Sequence, residues 1–176
     1  MIKTIRLEQL LRDTPTPLSR HLVTRPTGRA VRGGIERTVA ETGCAMAVLD
    51  FTEVGLLDMS CADEVVAKLL LAGIACHVVL AGLREDQLEA VDHVLRHHGL
   101  AAVALVADSG PYVLGLADED MRSAFGCVCA AGPMTSEALA DQLGWRSERA
   151  AETLAGLVAQ RLAKAEGDEY HPLPLP

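Results

Sequence analysis

The chain has 176 residues and a net charge of −8. Hydrophobic residues make up 49% of it and aromatics only 3%, so the core must be built from Leu, Val and Ala, in one medium domain or two small ones. No apolar run is long enough to span a bilayer, and the opening stretch MIKTIRLEQLLRD is charged throughout, unlike a secretory signal. The five cysteines are scattered, mostly in apolar runs, which suits reduced thiols in a cytoplasmic protein.

Residues 2–7 alternate weakly, as an edge strand does, and Pro15, Pro17 and Pro26 make 13–27 read as irregular. The spacing of Val31, Ile35 and Val39 predicts a helix over 29–41. Residues 44–51 form an apolar run of strand length, followed by a helix over 60–72. Ser60 with Asp63 fits a Ser-x-x-Asp capping pattern at its start, and Gly73 stands at its end. Further apolar strands are predicted over 74–81 and 101–107, with a helix over 84–98 between them and a short strand over 111–116. Continuous apolar strands alternating with helices indicate a parallel sheet covered on both faces.

The rhythm changes near residues 115–118. A helix over 118–131 is followed by Gly132-Pro133, a short helix over 136–143, and a longer helix capped by Ser147 and reaching about Leu162. The last segment, AKAEGDEYHPL, reads as a small hairpin turning at Gly167-Asp168. Charge divides in the same way. Residues 1–43 hold eight Lys/Arg against four Asp/Glu, whereas 118–176 hold five against ten.

The stretch LDFTEVGLLDMSCADEVVAKLL carries the most information. It passes from strand through an Asp-Met-Ser-Cys turn to a helix N-terminus, where unpaired N–H groups favour anions or a docking partner. With GIACHVVLAGL, REDQLEAVDHVLRHHGL and VALVADS it resembles the STAS domain of sulfate transporters and anti-sigma factor antagonists, over about 90 residues. The resemblance implies a mixed α/β sheet over 1–116 and a non-enzymatic docking role at Asp58 and Ser60. In the bacterial antagonists the regulated Ser or Thr directly follows the Asp. Here that position is Met59, Ser60 comes one later, and Cys61 replaces the usual Gly.

Residues 117–176 resemble a small, mainly α winged helix-turn-helix, carried by GPMTSEALADQLGWRSERAAETLAGLVAQRL and the hairpin. By that resemblance the helix from Ser147 is the recognition helix, with Arg146, Ser147, Arg149, Thr153 and Gln160 as outward DNA-contacting side chains. The net charge of −5 on this segment opposes phosphate binding, so protein docking stands beside it.

Other constellations read as structural. His93 and His97, four apart, lie on a polar helix face. Cys127 and Cys129 point in different directions on a helix, and Cys76-His77 face opposite sides of a strand. No metal, cofactor or catalytic set is expected. Asp50 and Asp58, at the ends of a strand and a turn, form a pair that would either hold a cation or, more commonly for such pairs, fix the loop by hydrogen bonds. The expectation is therefore a cytoplasmic, bacterial, non-enzymatic regulator in which a STAS-like partner-docking module is coupled to a winged helix that affects transcription. The alternative is a protein–protein adaptor whose acidic winged helix docks protein. A protein partner is expected, DNA is the other target, no membrane is involved, and homodimer formation is open.

Overall fold

The computed structural model describes residues 1–14, 20–106 and 109–176; the readings made for Pro15, Pro17 and Ala107 lie outside these. The chain divides into two compact units, 1–116 and 117–176.

In the first unit, five strands form one mixed sheet in sequential order: β1 (Ile2–Arg6), β2 (Met46–Asp50), β3 (His77–Ala81), β4 (Ala101–Val106) and β5 (Gly110–Gly115). The first four are parallel, and β5 returns antiparallel to β4. The connections hold α1 (Leu7–Arg12), α2 (Arg25–Thr42), a helical segment over 59–71, and α5 (Glu85–His97). The segment over 59–71 consists of α3 (Met59–Ala62), a π-helical turn (Asp63–Ala67) and α4 (Lys68–Leu71).

The core shows where the helices lie. Ala47 and Leu49, Val78 and Leu80, and Ala102 and Ala104 share one sheet face and form a single apolar cluster with Val31 and Ile35 of α2, Val65 and Leu69 of the 59–71 segment, and Val91 and Leu95 of α5. These helices of the first unit thus pack on one face of the sheet. The strand order never reverses, and same-handed crossovers between consecutive parallel strands deliver every helix to one face. The alternate positions Val48, Val79, Val103 and Val113 are in register across four strands and are also buried.

Two helix starts differ from expectation. Helix α2 begins four residues early, because Thr24 accepts the Thr27 N–H and Pro26 sits in the first turn, where its missing N–H costs nothing. Helix α3 begins at Met59, capped by Asp58 rather than Ser60. Both are good caps, but Asp58 reaches the Cys61 N–H first. The short α1 was not expected; its Leu7 and Leu11 are buried one turn apart.

The second unit consists of α6 (Glu119–Ala131), α7 (Ser136–Leu143), α8 (Ser147–Ala159) and the hairpin β6 (Ala163–Glu166)–β7 (Glu169–Pro172). Leu139 and Ala140 of α7 and Leu154 and Leu157 of α8 are buried. A single antiparallel bridge, Met134 to Tyr170, ties the hairpin to the loop between α6 and α7. Arg146 is the N-cap residue of α8 without a side-chain cap, and Ser147 is its first helical residue rather than its cap. No helix among the described residues is long and apolar enough to cross a membrane.

Candidate functional site

The connection from β2 to α3, residues 51–58, is fastened on two sides. From β2, Asp50 Oδ1 accepts the Thr52 N–H at 2.9 Å, which turns the chain. On one side the segment 20–24 runs alongside. The Leu22 N–H donates to the Leu56 carbonyl (2.8 Å), and the Asp58 N–H donates to the Leu22 carbonyl (2.9 Å). The Leu56 N–H donates to Nδ1 of His21 at 2.9 Å. On the other side, the start of α5 grips two carbonyls. Gln87 Nε2 donates to Val54 O (3.1 Å) and Gly55 O (2.8 Å), and Arg84 donates to the same pair. Gln87 is fully buried, and its Oε1 accepts the Arg84 N–H. Gln87→Leu leaves these groups short of partners inside the protein. We expect it to destabilise the fold by about 1–3 kcal/mol, read as a lowered denaturation midpoint.

This fastening fixes the turn at Asp58. Asp58 Oδ1 accepts both the Cys61 N–H and the Ser60 hydroxyl at 2.8 Å. The Asp50 and Asp58 carboxylates therefore each hold local backbone. The Cys61 thiol donates to Thr24 O, and burial, with Asp58 nearby, pushes its pKa up to about 11. It is thus a packed thiol rather than a nucleophile.

The bridge between Leu22 and Leu57 turns both side chains inward. Their neighbours consequently face out. Val23 is 41% exposed, Leu56 57% and Met59 48%. Three apolar side chains thus stand in water around a half-buried Asp-Ser pair on a rigid turn.

Next to the turn, α2 lies across the π-helical turn. The close approach needs Gly28, where a Cβ would stand 3.1 Å from Cys61 Cα and Glu64 Cβ. Glu64 is fully buried. Its Oε1 meets Lys68 Nζ at 2.6 Å and Arg25 Nη1 at 3.0 Å, and its Oε2 meets Arg32 Nη2 at 3.2 Å. Asp63 takes Arg25 at 2.8 Å and the His98 ring at 2.7 Å. Burial pushes both carboxyls up, but these hydrogen bonds and the nearby cations outweigh it and hold both below their ordinary values. Sequence reasoning found neither this cluster nor the Arg84–Gln87 clamp. The only hints were Glu64 and Lys68 four apart, and Arg25, Arg29 and Arg32 at one-face helical spacing.

In the second unit Arg149 is engaged. Its Nε and Nη2 donate to the two oxygens of Asp120 at 2.7 and 2.6 Å, and its guanidinium lies 4.4 Å over the Trp145 ring. The pairing holds the Asp120 carboxyl below its ordinary value. Arg149 is exposed, Thr153 is half-buried and donates its hydroxyl to Arg149 O, and Gln160 is half-buried at the C-cap of the helix. The exposed residues of α8 are Ser147, Glu148, Arg149, Glu152, Ala155 and Ala159. Arg146 and Ser147 are exposed at the helix start. Cys127 and Cys129 are half-buried, and burial raises both thiols. Among the described residues, no group of three or more His, Cys, Asp or Glu side chains is placed to hold a metal ion.

Compared with protein-family models, with curated proteins and with solved structures, the chain has no match.

Proposed function

We propose that the chain is a non-enzymatic regulator that works by docking proteins, with the turn at Asp58 as the contact surface of its first unit. The observation that carries this reading is the set of exposed Val23, Leu56 and Met59 around a turn held by hydrogen bonds from two sides. Apolar side chains kept in water on a rigid backbone suit a partner, because little ordering is needed on binding. The resemblance to STAS domains carried by LDFTEVGLLDMSCADEVVAKLL and the segments after it supports the same surface. A methionine where that family carries its phosphorylated hydroxyl makes contact, rather than phosphate, the regulatory event.

For the second unit, the order helix, bridge, helix, helix, hairpin supports the winged-helix likeness, and its electrostatics favour protein over DNA. Arg149 is committed to Asp120 and Trp145, and the other charged residues exposed on α8 are Glu148 and Glu152. These carboxylates repel phosphates.

The test uses the full chain. Immobilised protein is expected to retain a specific partner from its native extract, and Leu56→Ser/Met59→Ser, with unchanged circular dichroism, is expected to lose it. In parallel, a duplex DNA pool at low salt is expected to show no shift. A shift that weakens with salt and disappears in Arg146→Ala would replace protein by DNA as the target of α8.

A further inference from the structure

We infer that the partner of the Asp58 turn is an acidic protein segment that inserts an apolar side chain beside Met59 and lays its carboxylates on a cationic patch formed by α2 and α4. The inference rests on the docking reading and adds the chemistry of the partner.

Its first support is a concavity of about 330 Å³ directly beside the turn, which Met59 and Val94 share with Arg25, the histidines 93, 97 and 98, and Asp63, whose carboxylate is already paired with Arg25 and His98. The apolar anchor and the first cation thus line one depression. Its second support is the vertical order of charge. The two carboxylates that the cations share lie underneath, Glu64 with no exposed side-chain surface and Asp63 with 15%, while Glu36, 3.5 Å from Arg32, is 42% exposed. The cations lie above them. Arg25 is 44% exposed, Arg29 66% and Lys68 35%. Glu64 therefore organises the cations without showing its own charge, and an approaching molecule meets a positive surface. Arg29 is 4.0 Å from Glu64, the longest of the cluster's contacts to that carboxylate, and is the cation most open to a partner.

This patch runs against the composition. The chain is −8 overall, so an acidic segment is repelled by most of the molecule and attracted here. That contrast orients a partner and speeds its arrival more than it adds raw affinity. Nucleic acid fits less well. A phosphate backbone has no use for exposed Val23, Leu56 and Met59, whereas an amphipathic peptide satisfies both halves of the surface.

The experiment is selection from a phage-displayed random peptide library on the full chain, followed by anisotropy titration of a selected peptide in a salt series. The expected result is enrichment of Asp and Glu beside a large apolar residue. Binding should weaken with salt and fall roughly tenfold in Arg29→Glu and in Met59→Ser, with Arg29→Lys restoring most of it. Arg29→Ala, which adds no charge beside Glu64, is the second variant should Arg29→Glu fold poorly.

Uncharged or basic peptides that still depend on Met59 would overturn the acidic partner and leave the docking surface standing. Acidic peptides indifferent to both Leu56→Ser and Met59→Ser would overturn the anchor and, with it, docking at the turn. Selection of nothing would overturn both, and duplex DNA bound through Arg29 in place of peptide would assign the patch to nucleic acid.

Discussion

The double variant Arg32→Ala/Lys68→Ala is expected to lose about 3 kcal/mol of stability at pH 7, because it strands a buried carboxylate. Glu64 has no exposed side-chain surface, and these two cations contact its two oxygens at 3.2 and 2.6 Å. Arg25 remains at 3.0 Å but is itself 44% exposed and partly screened, so the loss falls at the low end of the range for breaking a buried pair. The pH dependence identifies the cause. In the parent, Glu64 is held below its ordinary value of 4.5, so its contribution is present above that pH and fades as pH falls through the folded value. In the variant the hydrogen bond from Lys68 and the charge of Arg32 are gone and burial is opposed chiefly by Arg25, so the carboxyl rises from its parent value. The deficit should therefore be largest near neutrality and should narrow as acid protonates Glu64. Urea midpoints at pH 7 and near pH 4 would show this. A deficit independent of pH would mean that lost packing, not a stranded charge, is responsible.

Gly82→Ala is expected to be costly for a different reason. A Cβ there would meet Thr52 Oγ1 at 2.3 Å, Thr52 N at 2.7 Å and Thr52 Cα at 2.9 Å. The hydroxyl can rotate away; the backbone cannot move without shifting residues 51–58. The backbone at Gly82 is left-handed, with φ of +70°, which costs a side chain about 1–2 kcal/mol. Forced displacement adds about 1–3 kcal/mol. Gly73→Ala is the control, since it has the same φ with nothing within 4 Å. Thermal melts of the two variants should differ by the clash alone, and only Gly82→Ala should also weaken capture of a partner at the Asp58 turn.

The sheet was legible because its strands are continuous apolar runs, and the helices between them because their stripes repeat at helical spacing. The finer placement was not. Asp58 and Ser60 are both good caps two residues apart, and an apolar stripe does not fix a helix start that closely. Glu64 sits among Val65, Val66 and Ala67 on a buried stretch, yet a glutamate in a helix reads as solvent-facing. What buries it is Arg25, 39 positions earlier, a pairing that no local pattern contains. Arg149 shows the same limit. Its spacing leaves it exposed on α8 as expected, but the partner that engages it, Asp120, lies 29 positions upstream.

The π-helical turn over Asp63–Ala67 is an α-helix carrying one residue too many. Its wider winding stacks side chains five apart, as well as four, along one line. Lys68 Nζ therefore reaches Glu64 at 2.6 Å and Asp63 at 3.5 Å with a single ammonium. Deleting one residue here would restore ordinary winding and swing everything on one side of the cut through about 100° relative to the other. The Asp58 cap and the Leu69 core contact would then no longer both be satisfied. This stretch should tolerate no change of length, and its spacing from Asp58 to Lys68 acts as a ruler that sets the apolar turn beside the cationic patch.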